Sequence, residues 1–419
     1  MKLILQSITV IDPKSPHHLK VVDIFIQDQI IKEIGKKLNI SGAKLLDCKG
    51  QYVSIGWIDL NVNFCDPGFE TKEDIESGLK AAAKGGFVGV ALMPNTQPAL
   101  KSKSEIEYIN NKAKGNAVNI FPIGALSANR EGKDLAEMYD MKLAGAVAFS
   151  DGSRAVQDAG LMSRALLYAK GIDSLIFAKA DDKSISQNAK MNEGQMSTLL
   201  GMKGNPSLAE ELMVSRDLFL AEYQNASIHF SCISSAKSVE LIKAAKKKGL
   251  HVTADVSVNN LYFDDSALAA FDSNFKLSPP LRTKEDIKAL KQGLKDGTID
   301  AICSQHTPED LEHKQVEFEH ANEGMIGLQT AFSLSLMSLE KQMDLTEILV
   351  KWTDAPRKVL GLATQSIAVN QAASLTVFDP NAKWTLQTKD ILSKSKNTAL
   401  INQELKGKVI SIINNNQLK

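Results

Sequence analysis

The sequence predicts an α/β protein whose main part is a (β/α)8 barrel. Two observations support this. First, residues 56–365 alternate short apolar runs with amphipathic stretches. Second, residues 1–55 and 366–419 carry strand-like runs broken by Asp-Pro and Gly, which predicts one small β-sandwich built from both termini. A doubly wound open sheet is the alternative. Neither a GxGxxG nor a GxxxxGK[ST] motif supports a nucleotide-binding version of it.

Eight runs are predicted to be the barrel strands: 58–63, 87–93, 119–123, 146–150, 174–178, 227–232, 251–256 and 299–304. The segment from Thr71 to Asp74 resembles a capping box, so a helix is predicted to open there and to end at Gly85 and Gly86. Residues 235–249 and 284–297 repeat this pattern of a helix followed by glycine.

Composition argues against several classes of partner. Lysine plus arginine and aspartate plus glutamate both number 49, which gives no electrostatic case for nucleic acid or an anionic membrane. No apolar run approaches the ~18 residues of a membrane helix. The four cysteines at positions 48, 65, 232 and 303 form no CxxC pair, so we expect reduced thiols and a cytoplasmic protein.

Catalytic groups in such barrels lie at the carboxyl ends of the strands. Neutral amides are frequent at these positions and histidine is rare, which is unusual for a hydrolase. In chain order the residues are Asn61, Asn63, the segment 93–96, Asp151, Lys179, Cys232, Asn259, Asn260, Gln305 and His306.

Several of these segments resemble motifs of the dihydroorotase family. Residues 59–70 (DLNVNFCDPGFE) are similar to D-L-H-V-H-x-R-x-P-G, residues 93–96 match M-P-N-T, and residues 277–282 (LSPPLR) resemble N-P-P-L-R. Segments 149–157, 192–201, 206–222, 229–242, 304–308, 323–336 and 392–407 extend the likeness nearly end to end. The resemblance implies a barrel of the amidohydrolase type.

The family interconverts carbamoyl aspartate and dihydroorotate, using zinc to activate water and an aspartate after strand 8 to shuttle the proton. The resemblance implies metal positions at Asn61, Asn63, Asp151, Lys179 and Cys232, and the proton shuttle at Gln305. It implies substrate positions at Cys65, Asn95, Asn260, Arg282 and His306. Asn95 and Arg282 retain the family's residue types, whereas most of the other positions do not.

The replacements remove the chemistry that the family needs. Carboxamides are poor zinc ligands, and the ammonium group of Lys179 has no lone pair to donate. Gln305 does not titrate in the useful range, and Cys65 cannot grip a carboxylate as an arginine would. We therefore expect no catalytic residue and no zinc. The favoured function is a non-catalytic scaffold in pyrimidine biosynthesis, with aspartate carbamoyltransferase as the partner that the resemblance implies.

Two other functions stay open. One is an active dihydroorotase, or another cyclic amidohydrolase, that uses zinc with unusual ligands. The other is a sensor that binds a pyrimidine intermediate without turnover. A homodimer is also open.

Single residues have alternative roles too. Asn61 and Asn63 are expected to form a hydrogen-bonded polar plug. Lys179 is expected to form an ion pair, with Asp151 as one choice, ahead of a nucleophilic or carbamylated lysine. Cys232 is expected to be a small buried hydrophobe ahead of a reactive thiol.

Overall fold

The computed structural model describes residues 1–187 and 189–419. Its strands, in chain order, are β1 (Lys2–Val10), β2 (Val21–Gln27), β3 (Ile30–Gly35), β4 (Lys44–Asp47), β5 (Tyr52–Ile55), β6 (Trp57–Val62), β7 (Phe87–Leu92), β8 (Asn119–Ala125), β9 (Ala148–Ser150), β10 (Ile176–Ala178), β11 (Met191–Asn192), β12 (Gly204–Asn205), β13 (Ile228–Phe230), β14 (Val252–Ser257), β15 (Ala301–Cys303), β16 (Leu375–Thr385), β17 (Glu404–Asn414) and β18 (Gln417–Leu418).

Most of the helices lie between the central strands. They are α1 (Ile75–Lys84), α2 (Lys103–Ala113), α3 (Met138–Leu143), α4 (Ala159–Gly171), α5 (Lys183–Ser186), α6 (Gln195–Leu199), α7 (Leu208–Gln224), α8 (Ala236–Lys247), α9 (Val258–Tyr262), α10 (Lys284–Asp296), α11 (Leu311–Lys314), α12 (Ala331–Leu339), α13 (Leu345–Val350) and α14 (Asp354–Val359). Among the described residues, no helix combines the length and the hydropathy needed to cross a bilayer.

The central strands form a parallel barrel. Its order is β6-β7-β8-β9-β10-β13-β14-β15. A parallel bridge between Val62 and His306 joins the two end strands, and the amide of Asn63 donates to the carbonyl of His306 at 2.9 Å. Each of the eight predicted runs overlaps one of these strands, so the (β/α)8 barrel is confirmed.

Strands from the two ends of the chain share a second sheet. Its order is β18-β17-β16-β5-β1-β2-β3, with β4 also paired to β1. Antiparallel pairing of Leu375 with Ile55 joins the C-terminal strands to the N-terminal ones, and Leu3, Ile24 and Val377 lie in the apolar cluster of this sheet. The predicted association of the termini is confirmed. The domain boundaries at 55/56 and 365/366 stay predictions.

The interior of the barrel is filled by apolar residues, and the polar side chains lie at its mouth. Ile58, Ala91, Ile123, Phe177 and Ala301 come from five different barrel strands and pack in one buried cluster. Side chains of parallel strands point alternately to the two sides of the sheet, so each strand supplies one residue to such a cluster and another to the helical layer. Function is therefore expected at the carboxyl ends of the strands, beyond this cluster.

The start of α1 corrects one prediction. The N-cap is Asp74 and not Thr71: the carboxylate of Asp74 accepts from the amide of Ser77 at 2.7 Å, and the hydroxyl of Ser77 accepts from the amide of Asp74 at 3.2 Å. Thr71 is exposed. The capping box thus lies three residues later than predicted. Asp74 and Ser77 satisfy the free amides at the start of the helix, as a capping box does. The predicted end of the helix at Gly85 is confirmed.

This difference can be tested by alanine substitution. Asp74→Ala removes the acceptor for the free amide of Ser77 and should lower the free energy of unfolding by about 1 kcal/mol. Thr71→Ala is the matched control and should change it by less than about 0.5 kcal/mol, because Thr71 caps nothing. Urea unfolding followed by circular dichroism measures both. Equal losses in the two variants would contradict the assignment of the cap.

Candidate functional site

A cavity of about 470 Å³ opens at the carboxyl ends of the barrel strands. Seven of the eleven predicted site residues line it: Asn61, Asn63, Cys65, Asn95, Lys179, Cys232 and Gln305. Parallel closure brings these residues together although they are up to 244 positions apart in the chain. The structure therefore brings most of the predicted positions into one place. Their functional roles stay predictions.

Asp151 and Asn260 do not line this cavity. The carboxylate of Asp151 accepts from the amide of Ser127 at 2.8 Å and from its hydroxyl at 2.5 Å. Burial of Asp151 raises its pKa. The side chain of Asn260 is buried and donates to the carbonyl of Pro280 at 2.9 Å. Both groups hold the backbone of neighbouring loops, which draws them away from the opening.

Arg282 and His306 are also separated from the cavity. The guanidinium of Arg282 is buried and donates to Ser234 at 3.1 Å, to Asn192 at 2.9 Å and to the carbonyl of Asn205 at 2.7 Å. His306 is fully buried, and its Nδ1 accepts from the amide of Gly327 at 3.2 Å. Arg282 therefore joins loops, and His306 is a hydrogen-bonded core histidine in this structure.

Three asparagines at the mouth hydrogen-bond within the protein. The Asn61 amide donates to the hydroxyl of Ser231 at 3.2 Å and to the thiol of Cys232 at 3.3 Å. The Asn63 amide donates to the carbonyl of His306 at 3.1 Å, and its oxygen accepts from the amide of Asn95. This arrangement matches the expected polar plug, because the side-chain amides of Asn61 and Asn63 both donate hydrogen bonds to neighbouring groups.

The suggested ion pair between Lys179 and Asp151 is wrong. Hydrogen bonds to Ser127 occupy the Asp151 carboxylate. Within residues 1–187 and 189–419, no carboxylate lies within 4.0 Å of the Lys179 ammonium, which faces the cavity. Position 179 thus places a cation in the opening.

Three of the cavity residues have left-handed backbone conformations. The φ angles are 59° at Cys65, 56° at Cys232 and 52° at Gln305. Such a conformation costs about 1–2 kcal/mol for a residue with a side chain, and it clusters at functional sites. The Gln305 amide donates to the carbonyl of Ser278 at 2.6 Å. Burial raises the pKa of the Cys65 thiol to about 12, which keeps it protonated at neutral pH.

The structure adds cationic residues that the sequence did not single out, among them Arg130, Arg154 and Lys190. Arg130 donates to the carbonyl of Asp151 at 3.0 Å and to the hydroxyl of Ser153 at 2.9 Å. Burial, and then the charge of Arg154, lowers the pKa of Arg130 to about 10, so it stays charged at neutral pH. Arg130 follows β8, the one barrel strand whose carboxyl end carries none of the predicted site residues.

The side chains at the five predicted metal positions do not fit a hydrolytic zinc site. Only Asp151 and Cys232 belong to residue types that bind zinc well. Hydrogen bonds from Ser127 satisfy Asp151, and the amides of Asn61 and Asn63 direct N–H groups at their neighbours. Lys179 adds a positive charge. The arrangement supplies too few free lone pairs, at the predicted positions, for the three or four ligands that zinc requires.

Comparisons with known proteins agree on one family. A family model described as dihydro-orotase-like matches residues 50–238. The chain is 43% identical to the dihydroorotase of Ruminiclostridium cellulolyticum over 95% of this chain and 94% of that protein. It is 40% identical to the dihydroorotase of Acetivibrio thermocellus over 97% of this chain and 96% of that protein.

Solved structures agree on the fold. The L-hydantoinase of Arthrobacter aurescens superposes with a TM-score of 0.86 at 20% identity, over 99% of this chain and 95% of that one. The dihydropyrimidinase of Brevibacillus agri superposes with a TM-score of 0.84 at 21% identity, over 100% and 95%. At these identities the likeness supports the barrel architecture alone.

Gly152 provides a test of the packing at the mouth. Its φ is +62°, and a β-carbon added there would lie 2.1 Å from the amide oxygen of Asn95. Gly152→Ala should therefore lower the free energy of unfolding by about 1 kcal/mol for the left-handed backbone and by about 1–3 kcal/mol more for the collision. Urea unfolding measures the loss.

Gly201 is a matched control for Gly152. Its φ is +64°, but a β-carbon there would meet no atom within 4 Å, so Gly201→Ala should carry only the backbone cost. In a protein that already carries Asn95→Ala, the substitution Gly152→Ala should no longer cause a collision. The loss of unfolding free energy that it then causes, measured against Asn95→Ala alone, should equal the loss in Gly201→Ala. Strictly additive effects of the two substitutions would contradict the contact.

Proposed function

Because this chain belongs to the dihydroorotase family, we propose that it is a non-catalytic member of it, whose barrel has been kept after hydrolysis was lost. One observation carries the proposal. The side chains at the metal and proton-shuttle positions bond to their own neighbours, as Asn61 does to Ser231 and Gln305 does to Ser278. Hydrolysis of a cyclic amide needs an activated water and a proton carrier, and these groups supply neither.

Electrostatics supports the same conclusion. A zinc ion at the family's position would lie close to the Lys179 ammonium, which has no carboxylate partner within 4.0 Å among the described residues. At about 4 Å and an effective dielectric constant near 20, two charges on the metal and one on the lysine repel by several kcal/mol. In an active site zinc would supply a nucleophilic hydroxide. Here the charge of Lys179 and the neutral amides of Asn61 and Asn63 disfavour a zinc ion held by those residues.

The proposal gives the chain a structural role in pyrimidine biosynthesis, with aspartate carbamoyltransferase as the partner that the family resemblance implies. An exposed apolar stripe on α7 supports a protein partner: Leu208, Leu212, Phe219 and Tyr223 are exposed, and their separations of 4, 7 and 4 residues place them on one helix face. The four free cysteines suit a cytoplasmic location for this assembly.

An activity assay tests the loss of hydrolysis. The purified chain, with and without added Zn²⁺, should neither form dihydroorotate from carbamoyl aspartate nor consume it. The dihydroorotase of Ruminiclostridium cellulolyticum, prepared identically, is the positive control. The competing candidate is an active dihydroorotase with unusual ligands, favoured by the 43% identity over nearly the whole chain. Turnover that a chelator abolishes and Zn²⁺ restores would establish that candidate and overturn the proposal.

A metabolite sensor is the other alternative to the scaffold, and the charge of the cavity favours it. Arg130, Arg154, Lys179 and Lys190 line the opening with Glu319 and Glu323, while Lys72 pairs with Glu309 at 2.7 Å. The excess of cations suits a dianion such as carbamoyl aspartate. Calorimetry with carbamoyl aspartate on the same preparation distinguishes the sensor from the scaffold. A scaffold shows no heat at millimolar ligand, whereas a sensor binds the ligand. The affinity of a sensor should fall in Lys179→Met but not in the surface control Lys237→Met.

Partner binding is tested by size-exclusion chromatography with light scattering. The chain mixed with aspartate carbamoyltransferase should elute as one complex. Gln305→Ala should leave the complex intact, because the cavity is not the contact, whereas Phe219→Ser combined with Tyr223→Ser should weaken it at least about tenfold. Separate elution of the unmodified proteins at micromolar concentration would contradict the scaffold.

A further inference from the structure

Three buried side chains that can bind a metal meet behind the mouth of the barrel. Cys232 follows β13, Asp255 lies in β14 and Cys303 ends β15, and these three strands are neighbours in the barrel. Cys232 is 4% exposed and the other two are fully buried. Their donor atoms all lie within 4.8 Å of one another. Two of the three residues, Asp255 and Cys303, are outside the set that the family resemblance singled out.

The separations suit tetrahedral coordination. Zinc binds thiolate sulfur at about 2.3 Å and carboxylate oxygen at about 2.0–2.2 Å, so tetrahedral angles place two sulfurs about 3.8 Å apart and a sulfur and an oxygen about 3.5 Å apart. The Cys232 and Cys303 sulfurs are 3.5 Å apart, and the Cys303 sulfur is 3.4 Å from Oδ1 of Asp255. These two separations differ from the tetrahedral values by a few tenths of an ångström, and the third pair, Cys232 and Asp255, lies within 4.8 Å.

The geometry points to a single binding site for a thiophilic divalent cation, with zinc as its ordinary occupant, formed by Cys232, Asp255 and Cys303. Two thiolates and one carboxylate are a soft donor set that favours zinc over magnesium or calcium. On binding, the metal takes the place of the two thiol protons, which leave to solvent, and the carboxylate supplies the third bond. This inference goes beyond the proposed function, because a metal bound here does not require turnover.

The groups around the cluster orient its ligands. Oδ2 of Asp255 is 2.9 Å from Nε2 of His229, and Nδ1 of that ring is 2.9 Å from the hydroxyl of Thr253. The amide of Cys232 donates to Oδ1 of Asp255 at 2.6 Å. Such outer contacts fix the direction of a ligating carboxylate and its free lone pair. The cluster is therefore held in place before a metal arrives.

The surroundings also supply attraction and access. Asp59 is fully buried, and its carboxylate accepts from the amide of Ser304, the residue after Cys303, at 3.1 and 3.2 Å. Acidic groups this close favour a cation. Cys232 lines the cavity, which gives the metal a route from solvent. The hydroxyl of Ser231 donates to the Cys232 sulfur at 3.8 Å.

Cobalt substitution tests the site directly. The full chain, reduced and stripped of metal, is titrated with Co²⁺ without oxygen. We expect one Co²⁺ per chain, the near-ultraviolet charge-transfer band of a cobalt–thiolate bond, and d–d bands of four-coordinate intensity. Zn²⁺ should displace the cobalt. Cys232→Ser and Cys303→Ser should each weaken binding about a hundredfold or more.

Cys65→Ser is the matched control. Cys65 lines the same cavity and is also buried, but it lies outside the cluster, so cobalt binding should stay unchanged in this variant. X-ray absorption on the unsubstituted zinc-loaded protein gives a readout that needs no variant and should show two sulfur neighbours at about 2.3 Å.

Three results would overturn the inference. They are the absence of metal uptake by the reduced chain, a metal environment without sulfur, and a disulfide between Cys232 and Cys303 in a protein that binds no metal after reduction. Failure of the proposed function looks different: it is dihydroorotate turnover, whatever the metal content.

Discussion

The contact that the rest of the molecule depends on is the closure of the barrel between its first and last strands. The carboxylate of Asp59 accepts from the amide of Ser304 at 3.1 and 3.2 Å, and the amide of Asn63 bonds to the carbonyl of His306 at 2.9 Å. Asp59 also accepts from the amide of Asn61 at 3.0 Å. Closure removes the two sheet edges and directs all eight strand ends towards one opening, where the cavity forms.

At that opening, several side chains at the predicted site positions hydrogen-bond to one another or to the backbone. Buried polar groups require such partners. The pairing of Asn63 with Asn95 and that of Gln305 with Ser278 meet this requirement. Gly152 belongs to the same arrangement, because the Asn95 amide occupies the space that a side chain at 152 would need.

The backbone retains a feature that this network does not explain. Cys65, Cys232 and Gln305 hold left-handed conformations at three different strand ends, and all three face the cavity. Strain of this kind persists where the surrounding fold imposes it, and it is common at functional sites. The fold therefore imposes a strained backbone at three strand ends of the mouth, where the side chains are two thiols and one carboxamide.

The sequence alone determined the barrel, the joining of the two termini and the family, because apolar alternation and short motifs are local properties of the chain. It also determined which residue types occupy the predicted metal positions. The N-cap of α1 was placed three residues early, since Thr71 and Asp74 both suit a cap and only the backbone path selects between them.

Tertiary structure alone decided that Asp151, Arg282 and His306 turn away from the cavity. It also decided that Lys179 is not paired with Asp151 and that Cys232 meets Asp255 and Cys303. These contacts join residues distant in the chain, and their distances depend on strand register and on competition for hydrogen bonds, which no local pattern encodes.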